Sequence, residues 1–235
     1  MRILMCVGVW FILLSCEDKQ SQQKRNHSST EYPMEQNTQT KNETLVQEDR
    51  KFPRLTDKNA MDFFLEYGKE NKENKVRITT DFGTIDIQLY DETRFHRANF
   101  IFLIKQHYFD GTQFYRVVNN FVIQGGNSDH MTIAERRHAI GKYLLPPDTK
   151  RGFLHDRGTI SMPSAEIENA YKLASPYELF IVQQHGGSHH LDGEYTAFGK
   201  VIKGMDVVDK IAAVETDQSE WPLRNVYIRK IEIIE

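Results

Sequence analysis

Cysteine is nearly absent from this chain: Cys6 and Cys16 are its two cysteines in 235 residues. Cys6 lies inside an apolar leader, so a disulfide framework is not expected. Excess positive charge is missing too. Thirty Lys and Arg stand against 33 Asp and Glu, a net charge of −3, so the balance argues against a polyanion such as nucleic acid as partner. The N-terminal apolar run, Ile3 to Leu14, has twelve residues, short of the roughly 20 that a bilayer-spanning helix needs. There is no Gly-x-Ser-x-Gly elbow, no phosphate-binding glycine loop, no Cys-x-x-Cys and no His-Glu-x-x-His, which removes the commonest hydrolase, nucleotide, redox and zinc-protease chemistries. The histidine cluster His185, His189 and His190 has neither helical spacing nor carboxylates in regular register. No metal and no other cofactor is therefore expected.

What is present begins with Met1-Arg2, the apolar run, and an abrupt change at Ser15-Cys16 to Glu17-Asp18-Lys19-Gln20. This is the pattern of a cleaved targeting segment over residues 1–15. The ending Leu13-Leu14-Ser15-Cys16 resembles the bacterial lipoprotein signal, which implies that Cys16 becomes the first mature residue and carries lipid. An ordinary secretory signal is the alternative. The expected location is the cell envelope, anchored to a bacterial membrane through Cys16 and facing the periplasm or the cell surface. Residues 16–50 are rich in Gln, Ser, Asn, Thr, Lys and Glu and carry too few aliphatic side chains to offset the entropy of ordering, so they read as a tether. Residues 51–74 read as a helical extension. Thr56 or Asp57 would cap a helix with Met61, Phe64, Leu65 and Phe63 along one side, packed on the outside of the domain that follows.

From residue 75 onward the pattern is mostly β. Val76, Ile78 and Thr80 alternate with polar positions, Asp81-Phe82-Gly83-Thr84 supplies a turn, and Ile85, Ile87 and Leu89 resume the alternation, which predicts a hairpin. Thr93 precedes a helix over 94–106 that is apolar on several sides and therefore buried. Strands follow at 114–126, 159–162, 179–183, 197–202 and 226–234, with a short helix over 205–213. Strands dominate without βαβ alternation, which predicts a closed or sandwich-like β architecture.

Within this region Phe114-Tyr115-Arg116-Val117-Val118-Asn119-Asn120-Phe121-Val122-Ile123-Gln124-Gly125-Gly126 resembles the signature of the cyclophilin family of peptidyl-prolyl cis-trans isomerases. Flanking blocks match in order: Phe82-Gly83-Thr84-Ile85, His96-Arg97-Ala98-Asn99-Phe100, Tyr108-Phe109-Asp110-Gly111-Thr112, Gly158-Thr159-Ile160-Ser161-Met162, Leu179-Phe180-Ile181-Val182, Leu191-Asp192-Gly193 and Phe198-Gly199-Lys200-Val201. The resemblance implies an eight-stranded antiparallel barrel capped by two helices, to which the N-terminal helix is an addition. It implies isomerisation of X-Pro bonds in polypeptides, with no cofactor, by a monomer. It also implies roles. Arg116 is the catalytic donor, Phe121 and Phe180 hold the proline ring, and Gln124 binds the substrate backbone and steadies Arg116. Phe114, Val122, Leu191 and Tyr195 extend the binding surface.

Three departures stand out. Glu178 replaces the family's usual glutamine and is expected to face Arg116. His190 replaces a tryptophan associated with ciclosporin, predicting weak sensitivity. Pro163-Ser164 replaces an Ala-Asn pair that presents backbone groups to substrate, a task left to Ser164. The segment from Ser164 to Pro176 is long, predicting an enlarged loop at the groove's edge. The expected function is folding assistance to exported proteins; the rival is a groove that captures proline segments without turnover.

Overall fold

The computed structural model describes residues 51–165 and 169–235. The leader, Cys16 and the tether lie outside them. Its centre is a closed barrel built from β2 (Lys75–Thr80), β3 (Gly83–Leu89), β4 (Thr112–Val118), β5 (Val122–Asn127), β7 (Thr159–Ser161), β8 (Leu179–Val182), β9 (Ala197–Lys203) and β10 (Val226–Ile233). The strand order is β10-β2-β3-β9-β7-β8-β5-β4, every pairing is antiparallel, and β4 returns to β10. The two short strands β1 (Leu55–Thr56) and β6 (Gly141–Lys142) pair separately, in parallel.

The alternation legible in the sequence is the reason for closure. Val76, Ile78, Ile85 and Ile87 are fully buried, and register pairs Ile78 with Ile85 and Val76 with Ile87. The interior is completed by Phe100, Phe114, Ile123, Ile160, Ile181 and Phe198. The hairpin turn is tied by Thr80, whose hydroxyl donates to the Gly83 carbonyl at 3.0 Å and accepts from Phe82 N–H at 3.1 Å.

Four α-helices lie among the described residues: α1 (Ala60–Glu70), α2 (Arg94–Lys105), α3 (Met131–Ile140) and α4 (Met205–Ala212). Two of them, α2 and α4, match the expected pair, and α1 is the expected extension. Sequence reading missed α3, which carries only Ile133 and Ile140 as buried residues and so offers a single apolar repeat. It stops at Gly141, whose φ of +140° and close approach to the Leu55 backbone admit no side chain.

The start of α1 differs from expectation. Thr56 belongs to β1, the helix begins after Asn59, and Asn59 Oδ1 accepts from Thr56 N–H at 2.7 Å. Asp57 instead accepts from Leu144 N–H at 2.9 Å, tying the extension to the chain beyond β6. Phe64 is buried, Met61 and Phe63 are partly buried, and Leu65 is exposed. The helix packs on α2 rather than standing free: the rings of Phe52, Phe63, Phe64 and Tyr67 surround Phe102 with centroids 4.9, 5.1, 5.8 and 5.3 Å away. This explains why α2 is apolar on several sides, since one face meets the barrel and the opposite face meets α1. Burying each such ring stabilises the fold by about 1.5–3 kcal/mol.

Candidate active site

The outer face of β4, β5, β8 and β7 carries a row of cross-strand neighbours. Register places Arg116 beside Gln124, Gln124 beside Phe180, and Phe180 beside Ser161. Along β5 the buried Ile123 belongs to the barrel interior, while Val122 joins a separate outer cluster with Phe180 and Val182, covered in part by Phe121, Leu191 and Tyr195. Together Arg116, Phe121, Val122, Gln124, Pro163, Phe180, Leu191 and Tyr195 line a groove of about 250 Å³. Larger depressions lie between α1 and α2 and beside β6, but this groove is the one floored by the outer Val122 and Phe180 cluster, with Arg116 and Gln124 beside it.

Each wall has an identifiable support. Phe121 leaves a tight turn at Asn120, φ +54°, and its carbonyl accepts from Gln183 N–H at 2.8 Å and Gln184 N–H at 3.1 Å. Its ring stacks on His190 at 5.4 Å, and the Arg116 guanidinium lies 5.9 Å from its centroid. Phe180 meets Tyr195 edge-on at 5.7 Å and His155 face-on at 6.0 Å.

His155 is itself fixed. Asp192 Oδ1 accepts from His155 backbone N–H at 2.7 Å and lies 2.8 Å from Nδ1, while Nε2 lies 2.9 Å from Ser161 Oγ. A carboxylate can only accept, so the ring proton sits on Nδ1 and Nε2 accepts from the Ser161 hydroxyl. Burial lowers the His155 pKa below the ordinary value, with Asp192 opposing, and the ring is neutral at pH 7. Burial alone would raise the Asp192 carboxyl, but hydrogen bonds from His155 and His189 more than offset it and its pKa is lowered.

The polar groups are held by different partners from those expected. Arg116 Nε donates to Glu220 Oε2 at 2.6 Å. Gln124 Nε2 donates to the Tyr115 hydroxyl at 2.5 Å, and the Tyr115 ring packs on Trp221 at 5.7 Å. Gln124 and Arg116 are thus neighbours without a hydrogen bond between them among the described contacts.

Arg116, Phe121, Val122, Gln124, Phe180, Leu191 and Tyr195 are brought together as expected, with His190 at the rim. Three residues are not. Phe114 is buried in the barrel core, because a bulge beside Arg116 turns it inward while Arg116 stays outside. Ser164 pairs with Ala174 at the base of the long loop, and its neighbour Pro163 lines the groove instead. Glu178 accepts from Asn127 Nδ2 at 3.3 Å and lines the depression beside β6 with Arg54, Arg137 and His138, so the acid on Arg116 is Glu220. His189 approaches Asp192 and Asp156, and among the described residues no group of three or more His, Cys, Asp or Glu converges on a metal position.

The site is therefore a surface groove on a closed antiparallel barrel, with an apolar floor and a fixed guanidinium at its edge. A model of the family described as cyclophilin type peptidyl-prolyl cis-trans isomerase/CLD matches residues 75–233. The chain belongs to that family. A peptidyl-prolyl cis-trans isomerase-like 2 from Rhizopus delemar is 32% identical over 169 residues, 71% of this chain and 30% of that protein. A peptidyl-prolyl cis-trans isomerase from Acinetobacter baylyi is 35% identical over 143 residues, 60% of this chain and 73% of that one. The chain thus spans under a third of the first relative and nearly three quarters of the second. A solved cyclophilin type isomerase from Cryptosporidium parvum, crystallised in the presence of the dipeptide Ala-Pro, superposes with a TM-score of 0.57 at 26% identity, covering 68% of this chain and 99% of that one.

Proposed function

We propose that this groove catalyses cis-trans isomerisation of X-Pro bonds in polypeptides (EC 5.2.1.8), and that the protein assists the folding of exported proteins. The observation that carries the reading is the placement of Arg116, fixed by an ion pair, at the edge of the Phe121, Val122, Phe180 and Leu191 floor. Rotation about a peptide bond meets a barrier of about 18–20 kcal/mol because the nitrogen lone pair is delocalised into the carbonyl. In the twisted state that pair is localised on nitrogen and accepts a hydrogen bond that the planar state does not accept. A donor already aimed at it stabilises the transition state selectively. The floor takes the proline ring, Gln124 holds the substrate backbone, and Arg116 supplies the donor. The Ala-Pro dipeptide named with the Cryptosporidium structure supports a proline-containing ligand here.

The leader sequence supports the remaining part of the reading, namely export and lipid on Cys16 that tethers the protein at a bacterial membrane. A prolyl isomerisation assay on the full chain tests the enzyme reading. Wild type turns over, and Arg116→Ala lowers kcat/KM by about 10²-fold, the cost of losing one preorganised donor. Proline-peptide binding without turnover would instead make the groove a receptor.

A further inference from the structure

Both polar groups of the groove are held from one turn, Asp217 to Trp221. Glu220 takes Arg116 Nε, and Trp221 backs the tyrosine that takes Gln124. The turn is internally braced: Asp217 N–H donates to the Trp221 carbonyl at 2.8 Å, and Asp217 Oδ1 accepts from Ser219 and Trp221 N–H groups at 2.8 and 3.0 Å. It is also fastened to the strand that bears the arginine, since Val117 N–H donates to the Glu220 carbonyl at 2.9 Å. Glu220 itself adopts φ +66°, a left-handed conformation disfavoured for a side chain with a Cβ. Such a residue persists only where its surroundings hold it, and this one delivers a carboxylate to the guanidinium.

We infer that Glu220 is a positioning residue for Arg116, with Trp221 acting in the same way on Gln124 through Tyr115; this rests on the isomerase reading above. The geometry assigns the direction of the effect. The carboxylate engages Nε, and the guanidinium carbon lies 5.9 Å from the Phe121 ring at the groove lining, which leaves the terminal Nη groups as the donors offered to substrate. An arginine side chain loses much rotamer freedom when fixed. Without Glu220 the substrate must impose that order in the transition state.

The test is a double-mutant cycle in the full chain. Glu220→Gln keeps the shape and removes the charge. Glu220→Asn shortens the side chain and suits the left-handed backbone, so it retains the fold. Each is expected to lower kcat by about tenfold, a factor within the rotamer freedom at stake, with KM for a proline peptide changed less than about twofold because the apolar floor is intact. In an Arg116→Ala background the same substitutions should have no further effect, whereas a merely structural role would lower activity again by the same factor. Thermal midpoints measured alongside separate loss of fold from loss of position. Wild-type turnover with unchanged kcat in both variants overturns the inference, as does an equal loss in the Arg116→Ala background. Absence of wild-type turnover overturns the isomerase reading itself.

Discussion

His96 sits in α2 with no solvent exposure, and neither ring nitrogen has a hydrogen-bond partner among the described residues. Burial lowers its pKa to about 4, with the charge of Asp148 opposing weakly. In the unfolded chain the imidazole titrates near 6.5, so between pH 6.5 and 4 the unfolded state holds a proton that the folded state lacks. Stability must then fall as pH falls through that window, and it is fully retained above it. A gap of about 2.5 pH units at 1.36 kcal/mol each corresponds to roughly 3 kcal/mol lost by pH 4, and about 2 kcal/mol by pH 5. Replacing the ring by an apolar side chain of similar volume, His96→Leu, removes the titration and the buried unpaired nitrogens together. Urea unfolding of wild type and variant at steps from pH 7.5 to 4 should give curves that diverge below pH 6.5, with the variant the more stable at pH 5. Carboxylates held below their ordinary values, such as Asp86 by Arg77 and Asp209 by Arg157, act in both proteins and at lower pH, so they cancel in the difference. Parallel curves across the window would refute the assignment.

Phe64→Ala should destabilise the protein by about 3–5 kcal/mol, read as a lower urea midpoint, because the ring fills the seam between α1 and α2. Gly141→Ala should loosen the extension by forcing a side chain against the Leu55 backbone, detected as faster amide exchange at residues 55–70 than in the barrel strands. His155→Ala removes both the ring stacked on Phe180 and the tie to Asp192; steady-state kinetics should show KM for a proline peptide raised by about fivefold, in the range of one lost aromatic pair, with kcat less affected.

The barrel was legible where burial follows a two-residue period. Val76 to Leu89 reads as a hairpin from the residues alone, and the Arg116 to Gln124 stretch locates the groove through its family resemblance. Legibility failed for two physical reasons. A β-bulge shifts the inward and outward sense of β4, and no alternation rule reveals that Phe114 and Arg116 take opposite sides across it. Long-range partners failed for a different reason: Glu220 is 104 positions from Arg116, and its turn of Asp, Gln and Ser reads as an ordinary surface loop. His155 and Ser161 gave no more signal, since a buried histidine and a strand serine become a support for Phe180 only once β7 and β8 are paired.

Each of the eight barrel strands has a strand on both sides. An extended polypeptide lying across the groove therefore finds no edge strand in the barrel against which to add as a ninth strand. On the isomerase reading it would be held by the side chains that line the groove instead. On that reading, a closed wall would let the groove receive extended chains without offering them an edge to which a strand can add.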